Sequence, residues 1–297
     1  MPEHAKGRVP KPTRPREEFQ TPAVGVVGSR TTRTALRAVA LLYVGILVLV
    51  PVLLVVWRTF KPGLGSFFDA ITDPLAVHAF RLTGEVAGIS VVLDTVFGIG
   101  VALLLVRYRF PGKRLLSAFI DLPVSVSPIV VGLALVLVYG SSGWFGGTLD
   151  RAGLQVINAT PSLVIATVFV SLPLVVRAVV PVLEQAGNEQ EQAAASLGAR
   201  AWTQLWRITL PTIREAVTYG VVLSLARCLG EYGAVLVVSG NIEGRTETAT
   251  LRIDNLYEAD LQTDAAYAIT FVLVLVAVVA ILVAAYVRRR QEASSAA

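Results

Sequence analysis

Six apolar runs, at residues 37–57, 84–106, 118–139, 161–180, 214–239 and 266–287, decide what this chain can fold into. Each is close to the roughly 20 residues a helix needs to cross about 30 Å of hydrocarbon. A bilayer core offers no water to backbone N–H and C=O groups, so such runs resolve as helices that satisfy those groups internally. The expected fold class is all-α, a polytopic membrane protein with six transmembrane helices. Of the 297 residues 54% are hydrophobic and 16% charged, too little polar surface to cover a water-soluble globule.

An even number of crossings puts both termini on one side. Segments 1–37, 107–117, 181–214 and 288–297 hold 18 Lys and Arg, against 6 in segments 58–83, 140–160 and 240–265. The positive-inside rule then predicts cytoplasmic termini. The net charge of +5 belongs to topology rather than to nucleic acid, because the basic residues sit at the edges of apolar runs. Residues 1–36, with Pro10, Pro12, Pro15 and Pro22 among Arg14, Arg16, Arg30 and Arg33, read as a disordered basic cytoplasmic arm. That arm is too long and polar for a secretory n-region, so the first run reads as an uncleaved anchor. Residues 37–287 form the membrane domain and 288–297 a cytoplasmic tail.

Several chemistries are excluded. Cys228 is the sole cysteine and His4 and His78 the sole histidines, so no intrachain disulfide, HExxH zinc helix or histidine-based triad can form. No GxxxxGK[ST] loop exists; Gly112-Lys113 is followed by Arg114. This chain is expected to hold no cofactor or metal and not to hydrolyse ATP itself.

The loop at 181–213 is far longer than two adjacent helices need for a turn. Asn188 can cap a helix whose first turn carries Glu189 and Glu191, and Gly198 can stop it. A second short helix follows, striped by Trp202, Leu205, Trp206 and Ile208, and Thr209-Leu210-Pro211 is expected to end it. On pattern alone this is either an amphipathic pair in the membrane interface or a docking element.

The run Gln192-Ala193-Ala194, with Gly198 six positions after Gln192 and Ile208-Thr209-Leu210-Pro211 closing the segment, resembles the EAA signature of ABC importer permeases, EAA-x3-G-x9-I-x-L-P. It departs at one place, where Gln192 replaces the usual Glu and Glu191 stands one position earlier. The resemblance implies a type I importer permease fold (MetI-like). It also implies a coupling loop, Glu191, Gln192, Ala193, Ala194, Gly198, Ile208, Leu210 and Pro211, that seats in a groove of a separate cytoplasmic ATPase. Outside the arm, Phe110-Pro111-Gly112-Lys113, the stretch Asp121 to Pro128, Tyr139-Gly140, Gly143-Trp144-Phe145-Gly146 and Leu229 to Val235 are similar to the W-type subunit of the sulfate/thiosulfate importer family, with molybdate permeases next in likeness. The implied partners are two ATP-binding ATPase subunits, a T-type permease, a sulfate-binding protein on the outer face and the lipid bilayer. The implied location is the bacterial inner membrane.

Polar groups inside apolar runs are costly and ask for a reason. Arg227 and Glu231 lie four apart and share a helical face with Ser224. They read either as a structural ion pair locking two spans or as part of an anion path. Pro123 and Pro128 flank Ser125 and Ser127 and should interrupt the third helix, either for packing or to present backbone donors to an anion. Asp94 is a further buried charge, one that could face a neighbouring subunit. The last outer loop carries Glu243, Glu247, Asp254, Glu258, Asp260 and Asp264 against Arg245 and Arg252. It therefore repels a dianion and fits delivery by a docking protein, or is simply a solvated surface. The competing classes are an autonomous channel or secondary transporter, which would need no ATPase, and a membrane enzyme, which the absent His and Cys chemistry disfavours.

Overall fold

The computed structural model describes residues 30–295, and every element among them is helical. Most of the basic arm, residues 1–29, lies outside the described residues, while Arg30 to Leu36 already belong to the first helix. The chain divides into two units, up to Pro51 and from Val52 onward. The first helix, α1 (Arg30–Phe60), runs through that boundary at Pro51.

Within the second unit, α2 (Leu64–Thr72) is short and precedes α3 (Pro74–Arg107). Asp73 starts α3 sharply: its carboxylate accepts from the amides of Leu75 (2.9 Å) and Ala76 (3.1 Å), and Pro74 occupies the first turn, where an absent N–H costs nothing. Next come α4 (Lys113–Ser125), α5 (Pro128–Tyr139), α6 (Gly146–Arg151) and α7 (Thr160–Ala186). The chain then forms α8 (Glu189–Ser196), α9 (Ala201–Gln204), a π-helical turn at Leu205–Thr209, and α10 (Leu210–Leu229). It closes with α11 (Gly233–Ser239), α12 (Ala249–Asp254), a second π-helical turn at Asn255–Ala259, and α13 (Thr263–Ser295), which continues past the predicted boundary at 287.

Among the described residues, four helical stretches are long and apolar enough to cross a membrane: Thr34–Phe60, Pro74–Arg107, Thr160–Ala186 and Thr263–Val283. The predicted third and fifth spans are not straight. Lys113–Ser125 and Pro128–Tyr139 meet at 115°, and Ala201–Leu229 and Gly233–Ser239 at 55°, giving six spans if each bent pair counts as one. The interruption expected in the span at 118–139 is present, and it divides the span into two short helices. The cause is local: Pro128 pushes the preceding residue out of helical backbone, and Val126 (φ −102°, ψ 142°) and Ser127 (φ −60°, ψ 134°) are both extended.

The core is built where α3, α7 and α10 meet, and glycines set how closely. A Cβ on Gly98 would lie 2.7 Å from the Val175 side chain, and one on Gly220 3.1 Å from the Val175 backbone. Small residues at helix contacts let backbones approach where lipid supplies no hydrophobic drive. Toward the loop end this contact is sealed by Ala102, Val175, Val179, Leu183 and Ile213, and at the opposite end by Leu82, Val86, Leu163, Val235 and Leu251. The α5–α11 contact uses the same device, since a Cβ on Gly132 would sit 2.7 Å from the Ala234 carbonyl.

Candidate functional site

The loop between α7 and α10 departs from its helices through two left-handed glycines, Gly187 (φ +64°) and Gly198 (φ +82°). Gly198 stands between α8 and α9 as expected, with open space around its Cβ position, so glycine is required there by backbone conformation rather than by crowding. Two expectations are corrected. Asn188 occupies the N-cap position of α8, but its side chain makes no capping hydrogen bond. The segment Thr209-Leu210-Pro211 does not end the second helix: the amide of Leu210 bonds to the Leu205 carbonyl, and this π-helical turn carries the chain into α10 with Pro211 in its first turn. A wider turn gives Pro211 the room that an α-helical i−4 carbonyl would deny it.

Glu191 ties this loop to the transmembrane body. Its carboxylate makes an ion-pair contact with Arg107 (Nε to Oε2, 2.9 Å), accepts from Arg107 Nη2 (3.2 Å) and accepts from Thr209 Oγ1 (2.8 Å). Arg107, the last residue of α3, also donates to the carbonyl of Leu183 on α7 (3.1 Å). The two charged side chains are 18% and 15% exposed. Four segments, α3, α7, α8 and the turn before α10, thus converge on the Arg107–Glu191 pair. Gln192, Ala193, Ala195 and Ser196 face outward, as do Leu197 (89% exposed), Trp202 and Trp206, whose rings stack edge to face. Ile208 and Leu210 are half-buried against the body and Pro211 is exposed. A rigidly held loop thereby offers small residues and large apolar side chains together, the composition of a surface covered by another protein or set in the membrane interface.

The residues predicted for a path separate into two groups. Ser224 belongs to a buried pin: Asp94 accepts from Ser171 (2.5 Å) and Ser224 (2.6 Å), and Cys228 adjoins both serines. Asp94 is fully buried within this chain, joining α3, α7 and α10, which corrects the expectation that it could face a neighbouring subunit. Ser125, Ser127, Arg227 and Glu231 instead lie at the two helix breaks. Glu231 is buried and accepts from the Ala234 amide (2.8 Å), starting α11, while its other oxygen contacts Arg227 Nη1 (2.6 Å). That ion pair therefore joins the two halves of one broken span, not two spans. The breaks adjoin, since a Cβ on Gly233 would lie 3.1 Å from Pro128.

Two paired groups escape a reading of the sequence. Arg107 is visible there only as one of many basic residues at a span edge. Arg177 interrupts the fourth apolar run and pairs with Asp121 of α4 at 2.9 Å; the signal was a lone Arg in one run and a lone Asp in another.

On the α12 side, Arg252 lies within 4 Å of Glu243, Glu247 and Asp260, and Asn255 donates to Glu247 (2.7 Å) while sharing hydrogen bonds with Asn241. The acidic segment is thus partly neutralised by one buried Arg. Burial pushes the Glu247 carboxyl above its ordinary range, with Glu243 adding to the rise and Asn255 and Arg252 opposing it.

Residues 94–293 match the model of the binding-protein-dependent transport system inner membrane component. The chain belongs to this family. As a member it is a multi-pass membrane subunit of a transport system, and the matched region contains both breaks, the Asp94 pin and the EAA-like loop. It is 46% identical over 233 residues (78% of this chain, 81% of the relative) to the sulfate transport system permease protein CysW of Synechococcus elongatus. With CysW of Escherichia coli it shares 40% over 257 residues (86% and 88%), and with CysT of Escherichia coli 37% over 214 residues (72% and 77%). Among solved structures, a bacterial ABC transporter involved in import of the acidic polysaccharide alginate has a similar fold, with a TM-score of 0.73 at 18% identity over 88% of this chain and 96% of that one.

Proposed function

We propose that this chain is a W-type permease subunit of an ATP-driven sulfate importer of the bacterial inner membrane. The carrying observation is the loop at 181–213, anchored through Glu191 and Arg107 to three membrane helices while turning Leu197, Trp202 and Trp206 outward. A rigid lever with an apolar tip transmits the movement of a docked ATPase to the α3–α7–α10 core. Its likeness to CysW proteins, greater than to CysT, supports sulfate as cargo and a T-type permease as the second half of the path. A complex of the alginate transporter with its substrate-bound periplasmic protein supports delivery by a binding protein on the outer face. The 18 Lys and Arg of segments 1–37, 107–117, 181–214 and 288–297, against 6 in the opposite segments, support cytoplasmic termini.

Within this reading the two breaks serve the path. Broken helices leave backbone groups without intrahelical partners, which serves an ion and costs too much against lipid. Ser125 and Ser127 stand at one break and the half-exposed Arg227 at the other, with Glu231 fixing it. The test is growth on sulfate as sole sulfur source after deletion of the gene in a strain without a redundant importer. Loss of growth, restored by the wild-type gene, supports the proposal, and unaffected growth refutes it.

A further inference from the structure

Arg177 and Asp121 form an ion pair that the coupling loop does not use. Arg177 lies on α7 nine residues before its end at Ala186, about 13 Å along the axis, and Asp121 lies eight residues into α4, about 12 Å. Against the apolar runs 118–139 and 161–180, both lie three residues, about 4–5 Å, inside the loop-side edge, and their side chains are 52% and 46% exposed. Around them α4 presents Leu115, Phe119 and Leu122 outward. Charged groups are among the costliest to turn toward lipid, so this face is one that meets water or protein.

The geometry of the pair leaves Arg177 half used. A guanidinium has five N–H donors. Asp121 engages the edge formed by Nε and Nη2, both through a single oxygen, Oδ1, at 2.9 Å. The opposite fork, formed by Nη1 and the second N–H of Nη2, has no partner among the described residues, and it is the arrangement that binds two oxygens of one oxyanion. Beside the pair lies a cavity of about 180 Å³, lined by Arg177, Asp121, Ser117, Val176, Val180 and Pro181. A water needs roughly 10–15 Å³ of such space, so the cavity has room for a five-atom oxyanion with part of its hydration shell. Ser117 adds a hydroxyl donor.

We propose that this cavity is an oxyanion station on the cytoplasmic part of the path, with Arg177 as its binding group and Asp121 as the residue that positions the guanidinium. The inference rests on the reading of this chain as an oxyanion permease. Asp121 does two things: it holds the free fork toward the cavity, and its charge keeps the station weak. Transport needs both, because a site that binds a dianion tightly cannot release it.

The test uses the assembled importer, purified with its ATPase and partner permease, and three probes: sulfate, thiosulfate and molybdate. Arg177→Lys retains the charge opposite Asp121 but not the fork. It is expected to assemble normally and to reduce uptake of the imported anion at least roughly tenfold, the weight of a charge-assisted hydrogen bond. Thermal stabilisation of the wild-type complex by millimolar anion, measured without binding protein, is expected to vanish in Arg177→Gln and to grow in Asp121→Asn. Asp121→Asn with Arg177→Gln separates this from a structural role, since a merely structural pair can be replaced by neutral groups with little loss. Wild-type uptake by that double variant, or by Arg177→Lys, overturns the station. If the wild-type importer carries molybdate and not sulfate, the cargo reading fails while the same variants, assayed on molybdate, still judge the station.

Discussion

Replacing Glu191 with Gln removes the charge at the convergence of α3, α7, α8 and the turn before α10 and leaves the shape. Hydrogen bonds to charged groups contribute about 1.5–3 kcal/mol each, and those of Glu191 to Arg107 are more than four-fifths buried. Gln keeps one carbonyl oxygen, enough for Thr209 and Arg107 Nη2, but sets its NH2 against Arg107 Nε, so the expected cost is about 2 kcal/mol. Arg107→Gln costs more, about 3 kcal/mol, because the Leu183 carbonyl loses its donor as well. If the loop must be held in place to dock, 2 kcal/mol appears as a roughly 30-fold weaker affinity for the ATPase. The assay is titration of purified ATPase onto the reconstituted permease pair, read by substrate-stimulated ATP hydrolysis. A double-mutant cycle should return a coupling energy of about 1–2 kcal/mol between Arg107 and Glu191. Two near-neutral single variants with additive effects would refute the idea that this pair anchors the lever.

Gly198→Ala meets open space but must hold a left-handed backbone, at about 1 kcal/mol; uptake should fall several-fold with unchanged membrane insertion, and Gly198→Asn should recover part of it. Asp94→Leu removes the acceptor of Ser224 and leaves Ser171 the Thr167 carbonyl, so it should destabilise the helix core by about 1–3 kcal/mol, an effect that adding Ser224→Ala should halve in denaturation measurements. Glu247 has a raised pKa because burial disfavours its charged form, so its contribution to stability is present below the ordinary carboxylate pKa and is lost as pH rises through the folded value. Hydrogen exchange of segment 240–260 should accordingly quicken with rising pH, after correction for intrinsic rates, and Glu247→Gln should flatten that dependence.

The spans were legible because hydropathy over 20 residues survives any tertiary context, and the break in the third was legible because Pro128 acts on Ser127 alone. The angle of 115° was not, since it depends on the packing of α5 against α11 through Gly132. In the loop, spacing revealed the hinge at Gly198 but not the role of Glu191, whose partner is 84 positions away. The departure at Gln192 becomes intelligible once its neighbour is seen: Glu191 carries the inward charge, and Gln192 faces outward. Asp94 could be recognised as expensive, yet its serine partners lie 77 and 130 positions off, beyond any periodicity. The short-range rule that Arg227 and Glu231 share a face held, but the kink at Gly230 turned the pair into the joint of a broken helix.

The central claim is tested most directly by sulfate uptake into proteoliposomes containing this chain, its partner permease, the ATPase and the binding protein. Labelled sulfate should accumulate only with ATP inside the ATPase-facing compartment and binding protein on the opposite side, and Glu191→Gln should depress accumulation and hydrolysis together. Sulfate flux through this chain alone, without ATP or ATPase, would contradict the account.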